Sequence, residues 1–319
     1  MRNEETFYLS RMRVAVVLLL IFAVFVTLVA GCSIPFFRQE GRLQQEPTIS
    51  VFFDEENTQR NLKLEEYLLG VVAQEMDPSW PMEALKAQAI LARTFTMKKL
   101  EEGGVKDIHG TDACTNPEHF QAYNAQRIND RVREAVASTR GMVMLHDGQF
   151  IRGWFFADSG GKTATAQEGL NFKGEPTPYV KVVNDVAGPD GFEQWTATFT
   201  KEEVANAAKQ VANQDPGDFD ALEVTDKGPS GRATMMRIGS VTVNAADFRV
   251  ALDSKKMKST LFTKEPEVSG DKVTFSGKGF GHGVGMAQQG ARAQAEEGKK
   301  AEDILRFYYK DIRISQRWK

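Results

Sequence analysis

The sequence predicts an α+β fold: a single mixed domain of helices and antiparallel strands, residues 48–319, behind an N-terminal transmembrane helix. Three observations carry this. Two consecutive runs between residues 61 and 96 place apolar residues at helical spacing. Strand-like segments punctuated by glycine turns follow between 142 and 275. An uncharged, almost wholly apolar run precedes both. No internal repeat or low-complexity tract interrupts the 319 residues. A hydrophobic fraction of 41% and a charged fraction of 26% are those of a globular chain. The net charge of −3 supplies no basic field, which argues against nucleic acid as a partner.

Residues 1–13 carry Arg2, Arg11 and Arg13 and read as a cytoplasmic tail. Residues 14–37 read as a membrane anchor, since about 20 apolar residues cross a bilayer as a helix. A second reading makes the run a lipoprotein signal to residue 31, because Val29-Ala30-Gly31 puts small residues before Cys32. A third, a buried core helix, suits a run this apolar on every face less well. The first two place the bulk of the chain outside the membrane. Residues 38–47 are a polar linker. The chain has two cysteines, Cys32 and Cys114, and with Cys32 at the membrane no disulfide framework is available within one chain.

TISVFF (48–53) reads as a strand. Residues 61–76 form a helix with Leu64, Tyr67 or Leu68, Val71 or Val72 and Met76 on its apolar face, stopped by Asp77-Pro78. Pro81 opens a second helix, where a missing N–H costs nothing; its stripe is Leu85, Ala89, Ala92 and Phe95 or Thr96. Residues 103–128 are irregular. A hairpin turns at His146-Asp147-Gly148 and runs into Ser159-Gly160-Gly161. A helix spans about 201–212. Then come a hairpin across RIGSVTV, a short helix at AADFRVAL and a strand at KVTFSG. The glycine-rich stretch GKGFGHGVGMAQQGA (277–291), a helix from about Met286, another from about Ala301 and a strand near Ile312 complete the chain.

Three places have residue types that do chemistry. Glu75, in VVAQEMDPSWP, sits among apolar residues where two helices meet. Either burial raises its pKa into the range of a general acid, or it is a helix-end glutamate facing solvent. His109, Cys114 and His119 form H-x4-C-x4-H, three of the four donors of a tetrahedral zinc site or a free thiol between two surface histidines. In the glycine stretch His282 is the functional side chain in a bare wall; it either meets a ligand or bonds backbone. The stretch lacks both common phosphate-binding patterns.

Three segments taken together resemble the stage II sporulation protein D family, which also contains amidase-enhancer proteins. They are LEEYLLGVVAQEMDPSWPMEALKAQAILARTF (64–95), FFADSGGKTA (155–164) and GKGFGHGVGMAQQGA. The resemblance implies a membrane-anchored lytic transglycosylase. It would cut the bond between N-acetylmuramic acid and N-acetylglucosamine in peptide-stripped peptidoglycan strands, leaving 1,6-anhydro ends, during forespore engulfment. The family's catalytic glutamate falls on Glu75. Arg93, Ser159, His282 and Gln288 fall in the matching motifs as candidate substrate-binding residues, and loop 277–285 becomes a wall of the glycan cleft. No cofactor is needed for the chemistry. A structural zinc is implied on His109, Cys114 and His119, although Phe120 stands where relatives have a second cysteine. The implied partners are the glycan strands, a sporulation amidase (stage II sporulation protein P) and stage II sporulation protein M, at the mother-cell membrane facing the septum. The alternative is a non-enzymatic glycan-binding enhancer of a partner amidase.

Overall fold

The computed structural model describes residues 45–319. The apolar run, Cys32 and most of the linker lie outside the described residues. Among the described residues no helix is long and apolar enough to cross a membrane.

The chain opens with β1 (Thr48–Phe53), whose alternate residues Ile49, Val51 and Phe53 are buried, and β2 (Thr58–Lys63), paired antiparallel to it. Helix α1 (Leu64–Glu75) therefore begins three residues later than its apolar period suggests. Asn61–Lys63 are taken by the ladder with Ser50–Thr48, so their backbone groups are already satisfied. Helix α2 (Met82–Glu101) follows, then the single turn α3 (Lys106–His109), strand β3 (Ala113–Cys114) and α4 (Asp130–Ser138), capped by Asn129. Strands β4 (Met142–His146) and β5 (Gln149–Phe150) make the expected hairpin, with Asp147 and Gly148 both at positive φ. Strand β6 (Phe155–Phe156) and helix α5 (Ala166–Leu170) lead away from it.

The next stretch comprises β7 (Gln194–Thr200), α6 (Lys201–Ala212), β8 (Leu222–Lys227), β9 (Ala233–Ile238), β10 (Val241–Asn244), α7 (Ala245–Asp253), β11 (Glu267–Ser269) and β12 (Lys272–Lys278). The chain closes with β13 (Met286–Ala287), α8 (Gln288–Glu296), α9 (Ala301–Tyr308) and β14 (Arg313–Gln316). Most strand pairs are antiparallel, as expected. Two are not: β1 with β3, and β6 with β13, run parallel. Both join strands far apart in sequence, which local turn chemistry does not reveal.

Among the described residues there are two large hydrophobic cores and a small third cluster of Ala164, Ala166 and Val284. The larger surrounds α2, whose Ala84, Ala87, Ala89 and Ala92 are fully buried; small side chains let α1, α4, α8 and α9 approach it closely. The smaller lies within 195–275 under α6 and α7, where Phe275 meets Phe199 edge to face and Phe248 at a tilt. The expected single domain is thus built on two cores. Arg232, just before β9, links them: its Nη2 donates to the Ser159 carbonyl at 2.8 Å and its Nη1 to that of Lys162 at 2.7 Å.

Arg93 lies inside the larger core at 0% exposure. Its Nε and Nη2 donate to the two oxygens of Glu65, at 3.0 and 2.5 Å, and its Nη1 to the Met142 carbonyl at 3.0 Å. Glu65 in turn accepts the Gly141 N–H and the Trp318 indole N–H. Removing one member of a buried pair strands the other. Arg93→Ala is expected to lower the unfolding free energy by about 3–5 kcal/mol. An apolar double replacement, Glu65→Leu with Arg93→Met, should recover only part of that loss, because the Gly141 and Trp318 N–H groups lose their acceptor. Urea denaturation at pH 7 checks both.

Candidate active site

Glu75 is the last residue of α1. Its helix arrives with Val71, Val72 and Ala73 fully buried, so the carboxyl is carried into the protein rather than out of it. Oε1 accepts the N–H of Ala122 at 3.2 Å, and Oε2 accepts the side-chain amide of Gln288 at 3.3 Å. Gln288 is the first residue of α8, delivered by the parallel pairing of β13 with β6. Burial raises the pKa of Glu75 to about 7, against the two hydrogen bonds, which pull it down. Its position at a helix C-terminus also disfavours the anion. The solvent-facing alternative is excluded: the carboxyl is enclosed although the residue keeps a partly exposed edge.

Beside this carboxyl is an open cleft of about 1400 Å³. Glu75 is not on its lining, but Ala122, which bonds Glu75, continues into Tyr123 and Asn124, which are. Tyr123 is held by packing. Its ring lies so close to Gly70 that a Cβ there would sit 2.1 Å from it, and it stacks on Tyr67 at 5.9 Å. A glycine in the middle of α1 was the one sequence signal of this approach. The far side of the cleft is formed by α7, with Asp247, Arg249 and Val250, and by His282.

Of the five catalytic and substrate-binding residues the sequence singled out, the structure joins Glu75 to Gln288 by a hydrogen bond and puts His282 on the cleft. His282 accepts the Val284 N–H on Nδ1 at 3.0 Å and makes a second backbone bond to Phe155. Burial holds it neutral, with a pKa near 3. Both nitrogens are thus committed to backbone, so it offers the cleft a ring face and no free donor. Arg93 is in the core and Ser159 is 1% exposed, its hydroxyl accepting the Gly161 N–H. Neither lines the cleft. Trp80 is half-buried against the larger core with the Arg292 guanidinium 5.2 Å over its ring.

The glycines of 277–285 also answer to the protein itself rather than to a ligand wall. Gly279, Gly281, Gly283 and Gly285 all have positive φ. A Cβ on Gly285 would lie 2.1 Å from the Trp154 carbonyl, and one on Gly283 2.6 Å from the Arg232 guanidinium. Only His282 of this loop lines the cleft.

His109, Cys114 and His119 do come together, their donor atoms all within 4.8 Å of one another. Nε2 of His109 and Nδ1 of His119 are 3.0 Å apart, and Phe52 stacks on His109 at 4.3 Å. Two imidazoles and a thiol at this separation fit three corners of a tetrahedral zinc site. Phe120, the residue after His119, is buried against Phe95 and Tyr67.

The described residues form a mixed α+β fold in which the enclosed Glu75 carboxyl is hydrogen-bonded to the segment that lines an open cleft. Residues 54–146 match the family model described as Stage II sporulation protein, and residues 183–285 match a domain of unknown function. Among curated proteins the chain is 34% identical to an uncharacterized protein of Brachyspira hyodysenteriae, over 79% of this chain and 67% of that one. It is 31% identical to stage II sporulation protein D of Bacillus subtilis, over 84% of this chain and 79% of that one. It is 27% identical to the amidase enhancer of Bacillus subtilis, over 76% of this chain but 39% of that one. The chain belongs to the stage II sporulation protein D family.

The raised pKa of Glu75 has a stability consequence. Between pH 4.5 and about 7 the native state binds more protons at Glu75 than the unfolded chain does, so its contribution to stability falls as pH rises. Glu75→Gln is expected to raise the melting temperature at pH 8, by at most about 3 kcal/mol of stability, and to leave it nearly unchanged at pH 4. Calorimetry at the two pH values checks this.

Proposed function

We propose that this protein is a peptidoglycan lytic transglycosylase of sporulation, acting on peptide-stripped glycan strands. The single observation that carries the reading is the Glu75 carboxyl, raised chiefly by burial to a pKa of about 7. The shared ancestry with stage II sporulation protein D and with an amidase enhancer supports the cell-wall context.

Protonated Glu75 donates its proton to the glycosidic oxygen as the bond to the muramyl anomeric carbon breaks. The carboxylate then takes the proton of the muramyl C6 hydroxyl, whose oxygen closes the 1,6-anhydro ring. Ala122 N–H and the Gln288 amide hold the carboxylate in place between the two transfers. No second carboxylate bonds Glu75 among the described residues, and this route needs none, unlike a glycosidase pair. Incubation with amidase-stripped strands should release anhydro products, and Glu75→Ala should lower the rate at least 10³-fold, roughly the reach of one general acid–base group. Because the acid must start protonated, kcat/KM should fall as pH rises through about 7. Product masses report both. Undiminished release by Glu75→Ala, or no release by either protein while glycan still binds, would move the reading to the enhancer of a partner amidase.

The proposal places the protein at the mother-cell membrane, anchored by residues 14–37, with the sporulation amidase (stage II sporulation protein P) and stage II sporulation protein M as partners. It includes a structural zinc on His109, Cys114 and His119, which would tie down the segment leading to Ala122. One zinc per chain is expected by elemental analysis, lost in Cys114→Ser with a lower melting temperature. A metal-free wild type of equal stability would remove zinc from the reading.

A further inference from the structure

The carboxylates lining the cleft mostly have partners. Asp54 accepts the Asn116 amide, Glu56 pairs with Arg60, and Asp247 accepts the Asn171 amide at 2.6 Å. Arg249 of α7 is different. Its Nε donates to the Met257 carbonyl and its Nη2 to that of Ser254, each at 2.8 Å. Among the described residues no carboxylate oxygen lies within 4.0 Å of it. Carbonyl acceptors orient a guanidinium without neutralising it. Burial, and then the charge of Arg232, pull its pKa down to about 10 although Asp253 acts on it from beyond contact distance, so it stays charged at neutral pH. The neighbouring His282 is held neutral and supplies no counter-charge. An oriented guanidinium on a cleft lining, with no carboxylate in contact with it among the described residues, is suited to a carboxylate carried by a ligand.

We propose that Arg249 anchors the lactyl carboxylate of N-acetylmuramic acid, and so selects strands from which the stem peptide has been removed. This rests on the glycan reading above. In an intact strand the lactyl group is joined to the peptide as a neutral amide. Amide hydrolysis exposes one carboxylate on every muramyl residue, the only charge a stripped strand bears. The reaction that supplies this substrate is therefore an amidase step. Carboxylates at the ends of stem peptides share this chemistry, and the test separates the two sources.

Binding is measured with the full-length protein as Glu75→Gln, so that no strand is cut. The probes are amidase-stripped strands, the same strands with their lactyl groups converted to neutral methyl amides, and peptide-bearing strands. Stripped strands should bind at least tenfold tighter than either other probe, and the margin should shrink with salt. Adding Arg249→Gln should erase the margin while leaving affinity for the amidated strand unchanged; Arg249→Lys should keep part of it. Equal binding of stripped and amidated strands, or an equal loss for both in Arg249→Gln, would overturn the inference. Peptide-bearing strands binding as tightly as stripped ones would overturn the lactyl assignment. No binding of any strand would instead bring down the glycan reading itself.

Discussion

The Arg93–Glu65 pair is the interaction around which the rest is assembled. One guanidinium, fully buried, holds the start of α1 to the middle of α2 and to the first residue of β4. The same carboxylate takes the Trp318 indole N–H, so the end of the chain is drawn to its beginning. A buried charge of this kind is stable only when every member is in place. The orientation of α1 follows, and with it the position of Glu75, about 16 Å along the helix from its first residue.

The two ends of α1 show how environment sets the role of one residue type. Glu65 faces a cation and two further donors, the Gly141 N–H and the Trp318 indole N–H. Glu75 faces two neutral donors, sits at the negative end of the helix dipole, and has no cation beside it. The first is a structural anion; the second is an acid that keeps its proton near neutrality. The buried guanidiniums divide in the same way. Arg93 is matched by a carboxylate in contact, whereas Arg232 and Arg249 donate to carbonyls and feel Glu168, Asp158 and Asp253 only from farther away. Arg232 uses that geometry to pin the Ser159–Lys162 turn to the second core, while Arg249 lies where a ligand can reach it.

Much of this was legible in order along the chain. The period of Leu64, Leu68, Val71 and Val72 marks a helix whose face is buried, and α6 falls on residues 201–212 as read. The Asp147-Gly148 turn and the hairpin across Gly239-Ser240 follow from residues that accept positive φ. Glu75 stood out because its neighbours are apolar, which is the physical reason its carboxyl is enclosed. The glycine run was legible as a close approach, but not what it approached. Alternate glycines remove side chains equally well for a sugar or for the protein's own strand, and the Trp154 carbonyl is the object met.

The sequence alone determined the local matters: most helices and strands, where turns fall, and that His109, Cys114 and His119 lie in one short segment. These depend on spacing and backbone preference within a few residues. Tertiary structure decided everything that joins distant residues. It set Ala122 and Gln288 against Glu75 across 47 and 213 positions. It sent Arg93 to the core and Arg249 to the cleft. It paired β6 with β13 in parallel and divided one expected domain between two cores. The physical reason is that a charged or polar side chain has no fixed environment of its own: its neighbours come from other elements, and only the packed chain supplies them.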